Sequence, residues 1–403
     1  MDQGVRKDFS LSALRRHYIQ PHELYASLQA HDSIYFDAAS QCWLVTGYVP
    51  LVAILDDPHF SSRLGASSSM FPPSVSKQML FMDGETHQQA QNVMLRPLAQ
   101  MVKRMPDDIR AYVQAILVKA RRKGEIDIVE DFASPLSLWA IAQVLGMPAS
   151  DMEALQQLAR WSDTFGDVTS GYFRGNLKDI RQLEEYFRQL IAAKRRAPSD
   201  DLLSAFILAH EVFSEEELIA NCMMVFTAGR ITTKKLLGDG VPLLAKQWAQ
   251  MRAEYRENPR ATPKSLSEEL LRMITPTRYL VREAVEEVDL SSQFPGNHKI
   301  RQGEKLLLFL EAADYDPAIF AQPTRFEAHR RPNKHIAFGF GSHQCPGATL
   351  ARVEIQIALE MLLTMANDLQ LKPGTTPVWN PNPNLGGATS WPLLFKSSSA
   401  ENA

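Results

Sequence analysis

One cysteine stands in a glycine-rich loop directly before a long helical pattern. Residues 338–347 read FGFGSHQCPG, and Cys345 lies between the glycines and a Pro-Gly pair. Glycine permits positive φ and lets other groups approach the backbone closely. Because residues 348–363 have helical character, Cys345 precedes a helix N-terminus, where backbone N–H groups and the helix dipole stabilise a thiolate. The sequence therefore predicts a backbone-presented cysteine that acts as a metal ligand or as a nucleophile.

The spacing around this cysteine favours the metal ligand. A nucleophile requires a base, and His343 is the nearest candidate, but catalytic partners usually come from distant parts of a chain. The pattern Phe-x-x-Gly-x-His-x-Cys-x-Gly, formed by Phe338, Gly341, His343, Cys345 and Gly347, is more specific. It resembles the haem-binding loop of the cytochrome P450 family. The resemblance implies haem b (iron protoporphyrin IX) as cofactor and Cys345 as the thiolate ligand of its iron.

Composition and charge are typical of a globular protein without a nucleic-acid partner. The 403 residues are 45% hydrophobic and 22% charged, and the net charge is −3. Three cysteines are too few and too scattered for a disulfide framework, which indicates a reducing compartment. The N-terminus has no secretory pattern, and no apolar run approaches the roughly 18 residues that span a bilayer. We expect a cytoplasmic protein without a membrane span.

Helical periodicity covers most of the chain, and strand patterns are short. We find no internal repeat or dividing linker, and therefore expect one domain over residues 1–403 with flexible tails at 1–7 and 397–403. The fold class is mainly α with a small β portion, and the resemblance, over roughly residues 8–396, implies a prism of helices around a buried haem. We predict helices at Glu85–Lys103, Pro106–Lys123, Pro135–Leu145, Ala149–Thr164, Asn176–Lys194, Ser214–Leu237, Ser265–Met273 and Ala348–Ala366, and strands at Ser33–Phe36, Cys42–Thr46, Lys305–Phe309 and Trp391–Phe395.

Three charged residues match a structural network of the family. Glu269 and Arg272 lie three residues apart on one helical face, where an acid and a base pair readily. This spacing is common in helices and is not specific by itself. It becomes informative because it lies about seventy-five residues before Cys345. The resemblance adds Arg325, in the sequence Pro-Thr-Arg-Phe, and implies that the three residues form a buried ion network that fixes the cysteine loop.

The two haem propionates require cationic or hydrogen-bonding partners. The resemblance assigns this role to Arg282, to His343 of the cysteine loop, and to His87 in a helix that begins near residue 85. The family usually places an arginine four residues after the last of these histidines, and this chain has Gln91. One full positive charge is therefore missing from the expected propionate pocket.

A second departure lies in the helix that begins near Ser214. The segment Ala-Gly-Arg-Ile-Thr-Thr at 228–233 matches the oxygen-binding stretch of the family, which implies that Ala228 and Gly229 lie at the haem and that Thr232 and Thr233 are catalytic. Thr232 is expected to hydrogen-bond to the carbonyl of Ala228. The family's acid is replaced by Ile231, which relays no proton. Arg230 lies about 200° around the helix from Thr232, so we interpret it as a structural ion-pair partner in preference to a ligand for a substrate carboxylate.

The resemblance also indicates which segments contact the substrate. They are residues 67–81, Phe226 with Ile231, residues 277–280 and residues 384–389. As pocket residues we name Phe226, Ile231, Thr277, Arg278 and Leu385. For Arg278 a surface charge is an equal alternative. The apolar residues among them favour a hydrophobic or aromatic small molecule.

The sequence thus predicts a haem-thiolate monooxygenase of specialised metabolism. No reductase is fused to it, so electrons are expected from a separate ferredoxin or flavodoxin. Three alternatives remain: a peroxide-driven peroxygenase, an enzyme that couples phenols or indoles oxidatively, and a non-catalytic haem-fold recruitment protein. Basic candidates for docking the electron donor are Arg96, Lys103, Lys334 and Arg352.

Overall fold

Helices form most of the protein in the computed structural model, which describes residues 10–63, 71–149, 151–172 and 176–396. Both predicted tails, and residues 67–70 of the predicted pocket segment, lie outside the described residues. The helices are α1 (Leu11–Arg16), α2 (His22–His31), α3 (Tyr48–Asp56), α4 (Pro73–Ser76), α5 (Gly84–Arg104), α6 (Pro106–Lys123), α7 (Ser134–Val144), α8 (Met152–Thr169), α9 (Leu177–Arg196), α10 (Leu202–Leu208), α11 (Glu215–Ala245), α12 (Trp248–Glu257), α13 (Thr262–Ile274), α14 (Leu310–Asp314) and α15 (Ala348–Met365).

Helix α11 is the centre of the helical core. It runs for 31 residues and begins with a capping box, in which the Ser214 side chain accepts from the Glu217 N–H and the Glu217 carboxylate accepts from the Ser214 N–H. Helices α4, α7, α8, α9, α13 and α15 all pack against it. Most of its side chains are therefore buried on every face, which is the pattern of a helix that crosses the interior.

The strands form one mixed sheet and three small antiparallel units. They are β1 (Ile34–Asp37), β2 (Cys42–Val45), β3 (Phe60–Ser61), β4 (Glu125–Asp127), β5 (Leu280–Ala284), β6 (Val288–Asp289), β7 (Lys299–Ile300), β8 (Lys305–Leu308), β9 (Asp368–Leu371), β10 (Val378–Trp379), β11 (Ala388–Ser390) and β12 (Pro392–Lys396). The five-stranded sheet has the order β1-β2-β8-β5-β3, with β2 and β8 parallel. The register pairs Arg282 of β5 with Leu306 of β8 and so fixes where that arginine lies.

The predicted elements are present with shifted ends. Helix α6 has the predicted limits, whereas α11 continues eight residues beyond its predicted end at Leu237. Helices α1, α2, α3, α4, α10, α12 and α14 were not predicted. Among the described residues, no helix combines the length and the apolar character that crossing a membrane requires.

Candidate active site

The cysteine loop is held by its own backbone. The N–H of Cys345 donates to the carbonyl of Phe338 at 2.9 Å, and the N–H of Gln344 donates to that of Gly341 at 3.0 Å. Gly341 has a φ of +70°, and a Cβ there would lie 2.9 Å from the carbonyl oxygen of Leu55 in α3. A side chain at this position is therefore excluded by strain and by contact, and the loop presents Cys345 in one orientation.

The surroundings of the Cys345 thiol contain donors for a thiolate. Burial raises its pKa, while the N–H groups of Gly347 and Ala348 and the charge of Arg352 lower it. Arg352 is fixed by two hydrogen bonds to Glu268, at 2.7 and 2.9 Å, and its guanidinium lies 4.6 Å from the ring centroid of Phe338. These groups would stabilise the negative charge of a metal-bound thiolate.

The thiol faces an internal cleft. Cys345 is enclosed by protein and yet accessible, as is Ala228 in the middle of the buried helix α11. Accessible side chains on these two elements mark a space inside the molecule. The space has a thiol on one wall and apolar side chains beside it, which fits a large planar cofactor with a metal at its centre.

Cations and histidines at this cleft match the carboxylates of such a cofactor. Arg282 is buried, and its Nη1 donates to the carbonyl of Val281 at 2.9 Å. The rings of His87 and His343 stack with centroids 3.8 Å apart. Burial and the neighbouring charge of His343 lower the pKa of His87 to about 4, so His87 is neutral at pH 7. The donor set thus fits two propionates, with Arg282 as a permanent positive charge.

Gln91 lies where the family pattern has its arginine. Its amide nitrogen is 3.4 Å from the carbonyl oxygens of both Ser342 and Gln344 in the cysteine loop. These contacts are long for hydrogen bonds. Gln91 therefore touches the loop but adds no charge to the cleft.

We expect Gln91→Arg to slow haem loss because it adds a positive charge beside the cysteine loop. An ion pair with a partly buried propionate contributes on the order of 1 kcal/mol, which corresponds to roughly fivefold. Transfer of haem to an excess of apomyoglobin measures the rate, and added salt should reduce the gain. Gln89→Arg, an exposed position on the opposite face of α5, is the matched control. An equal gain in both variants would show a general charge effect.

The stretch at 228–233 carries the predicted hydroxyl. Thr232 Oγ1 donates to the carbonyl of Ala228 at 2.8 Å, which confirms the predicted hydrogen bond. Thr233 is buried. A Cβ on Gly229 would lie 2.6 Å from Cδ1 of Ile141 in α7. A side chain there would press against Ile141, so the glycine favours the close contact between α7 and α11, an explanation that the sequence did not suggest.

Arg230 is a structural residue, as interpreted. Its guanidinium is 1% exposed and donates to the hydroxyl of Ser162 at 2.8 Å and to the carbonyl of Ala159 at 3.0 Å. It also pairs with Asp163 of α8. A buried arginine with these partners joins α8 to α11 and does not face the cleft.

The predicted pocket residues separate into two groups. Ile231 and Leu385 line one cavity, which also has four charged residues that we did not predict: Asp163, Asp167, Lys234 and Lys235. Thr277 is partly exposed just before β5. Phe226 is 0% exposed, and its ring packs 5.9 Å from that of Phe187, so it belongs to the helical core and its assignment to the pocket is wrong.

The assignment of Arg278 to the pocket also fails. Its side chain is buried and pairs with Glu311 at 3.4 Å, donates to the carbonyl of Tyr18, and lies 5.7 Å from the ring centroid of Tyr18. These partners come from α14 and from the segment between α1 and α2. Arg278 therefore ties the N-terminal helices to the interior and is neither a pocket residue nor a surface charge.

The ion network needs one correction. Glu269 and Arg272 pair as predicted, at 2.8 Å and with both side chains 0% exposed. The prediction of Arg325 is wrong, because its side chain is exposed and bonds to Gln322. Arg330 takes its place, with Nε 3.1 Å from Oε1 of Glu269. Arg325 contributes only its carbonyl oxygen, which accepts from Arg330 at 2.9 Å.

The basic docking candidates also differ in availability. Arg96, Lys103 and Lys334 have exposed side chains. Arg352 is bound to Glu268 beneath the cysteine loop and so serves the loop.

Comparisons with known proteins agree with the geometry. The family model for cytochrome P450 matches residues 264–388. The biotin biosynthesis cytochrome P450 of Bacillus subtilis is 33% identical over 369 residues, which cover 87% of this chain and 90% of that protein. The polyketide biosynthesis cytochrome P450 PksS of Bacillus subtilis is 28% identical over 89% of this chain and 90% of its own length. The crystal structure of P450BioI in complex with hexadec-9Z-enoic acid ligated acyl carrier protein superposes with a TM-score of 0.84 at 30% identity, covering 95% of this chain and all of that one.

Proposed function

The chain belongs to the cytochrome P450 family and is a haem-dependent monooxygenase, and from this premise we propose that it oxidises a hydrophobic or aromatic small molecule in specialised metabolism, with O2 and electrons from a separate ferredoxin or flavodoxin. The observation that carries the proposal is Cys345, presented by a rigid loop to an internal cleft that contains Arg282 and two histidines. We further propose that it acts in the cytoplasm as a single domain.

Haem with a thiolate ligand, when bound, supplies the activation of dioxygen. In this proposal Cys345 is the ligand, and the N–H groups of Gly347 and Ala348 stabilise its charge. Arg282, His87 and His343 hold the propionates. The family pattern places the Thr232 hydroxyl at the oxygen site, where it donates or accepts one proton at Oγ1.

The substrate is proposed to enter beside Ile231 and Leu385. Both side chains are apolar, which supports a hydrophobic substrate. Arg96, Lys103 and Lys334 are exposed cations available to an acidic electron donor. They are proposed contacts, and Arg352 is no longer among them.

The source of the oxidant is tested by comparing two assays on one substrate. Turnover with a ferredoxin, its reductase and O2 is expected to exceed turnover with hydrogen peroxide alone. Activity with peroxide alone would establish a peroxygenase, and dimeric products would establish oxidative coupling. A protein that binds haem and shows neither activity with any aromatic or lipid substrate class would support the non-catalytic alternative.

A further inference from the structure

A small cavity lies between α8, α11 and the turn that precedes β11. Its volume of about 20 Å3 is enough for roughly one water molecule at about 10–15 Å3 each. Most of the side chains around it are polar or charged, which favours a bound water over an empty space. The lining consists of Asp163, Asp167, Ile231, Lys234, Lys235, Asn380, Leu385, Gly387, Ala388 and Thr389.

This cavity adjoins the position where the family's acid is missing. Ile231 packs tightly against α8, since a Cβ on Gly166 would lie 2.8 Å from its Cδ1. The residue after Gly166 is Asp167, which lines the cavity together with Ile231. A carboxyl group therefore lines the same cavity as the residue that replaces the family's acid, and it comes from the facing helix.

Lys235 also lines this cavity. It lies one turn of α11 beyond Ile231 and Thr232. At 100° per residue, its side chain is about 40° around the helix axis from that of Ile231 and about 60° from that of Thr232. Its Nζ donates to the carbonyl of Pro276 at 3.1 Å, and its stem contacts the turn at Gly387. Lys235 is thus on the helix face between the position of the missing acid and the threonine hydroxyl.

We propose that Asp167 replaces the missing acid as the proton donor of this enzyme, passing protons through the cavity water and past Lys235 towards Thr232. The inference rests on the proposed use of O2 and external electrons, which consumes protons. Each proton that leaves the Asp167 carboxyl is replaced from solvent, since the side chain is partly exposed. Electrons come from the redox partner, so the carboxyl group only gains and loses protons.

The charges around Asp167 support this role. Asp163 lies on the same helix, pairs with Arg230 and carries the same charge as an ionised Asp167. Lys234 and Lys235 of α11 carry the opposite charge and line the same cavity. Asn382 donates to Asp167 Oδ1 at 2.6 Å. Asn382 and Lys234 stabilise the ionised carboxylate of Asp167 and so lower its pKa. Burial has the larger effect and raises the pKa of Asp167 to about 6. A carboxyl group with a pKa near the working pH is well matched to proton transfer.

The test compares Asp167→Asn with Glu153→Gln, which makes the same chemical change at an exposed position on α8. General acid catalysis contributes about 10²–10⁴-fold, and because water replaces part of the relay we expect about a tenfold fall in electron-driven product formation, with more of the O2 released as peroxide. Peroxide-driven turnover, whose oxidant brings its own protons, should change less than twofold. Asp167→Asn combined with Ile231→Asp should recover coupling, whereas Ile231→Asn in that background should not.

A readout independent of turnover is the carboxyl titration itself. In protein with 13C-labelled aspartate, the resonance that Asp167→Asn removes should titrate near pH 6. Titration in the ordinary aspartate range, about 3.9, or unchanged coupling in Asp167→Asn, would overturn the relay alone. Turnover of the unaltered enzyme with peroxide but not with electrons would overturn the proposed function and the relay with it.

Discussion

Replacing Cys345 with alanine is expected to abolish the strongly red-shifted Soret band of the reduced carbon monoxide complex. That band requires a thiolate on the iron, and the cysteine loop offers one sulfur to the cleft. Activity should fall to background, because thiolate donation is the ligand's contribution to O–O cleavage. Absorption spectra of the reduced protein with carbon monoxide measure the effect directly.

Cys42→Ala is the matched control. Cys42 lies in β2, and its thiol donates to the carbonyl of Ser40 at 3.4 Å, outside the cysteine loop and helix α11. The control should keep the band and the haem content. If Cys345→Ala also keeps the band, Cys345 is not the ligand and the assignment of the site fails.

Local signals allowed much of the fold to be predicted. Helix α6 has its predicted limits because Pro106 suits a first helical turn and Gly124, with φ of +71°, ends the helix in the left-handed conformation. The end of α11 was missed because the residues after Leu237 include two glycines and Pro242, which are typical of a helix end. Packing against α13 and α15 keeps that segment helical through Pro242, which lies close to the C-terminus of the helix.

The cysteine loop was predictable because its residues are adjacent in sequence. The charged cavity was not, because its residues come from segments that meet only in the fold: Asp167 and Lys234 are 67 positions apart. Arg278 shows the same limit, since its partners Tyr18 and Glu311 come from distant segments. The sequence does not show which residue a charged side chain pairs with. Only the packing of the folded chain determines whether that side chain lies at the surface, in the core or in the pocket.

The network arginine shows why a motif alone misassigned a residue. Arg325 and Arg330 are five residues apart, and the Pro-Thr-Arg-Phe sequence drew attention to the first. The chain around 321–330 turns so that the Arg325 carbonyl points inward while its side chain points to solvent. The sequence signal for Arg330 is its place in the run His329-Arg330-Arg331, and that run does not show which of its basic residues is buried.

Glu269→Ala is expected to have the largest effect on stability. Both carboxylate oxygens accept from Arg272, at 2.8 and 2.9 Å, and from Arg330, at 3.1 and 3.2 Å. Removing the carboxylate leaves the buried Arg272 guanidinium without an anion and leaves Arg330 only its longer pair with the exposed Glu327, at 3.5 Å. Breaking such a buried pair costs about 3–5 kcal/mol, a large part of the roughly 5–15 kcal/mol that holds a typical domain folded. Denaturant unfolding and the haem-to-protein ratio after expression measure the loss.

The contrast between two arginines makes this prediction specific. Arg330→Ala should approach the cost of Glu269→Ala, because it leaves the carboxylate half paired and also frees the carbonyls of Ala321 and Arg325. Arg325→Ala should change the unfolding free energy by no more than about 0.5 kcal/mol, as at other exposed positions, since its carbonyl stays in place. If Arg325→Ala proves as costly as Arg330→Ala, the exposed side chain has a partner in the haem-loaded protein and the motif-based assignment is correct. If neither is costly, the network does not fix the cysteine loop, and the loop is held by its own glycines and backbone hydrogen bonds.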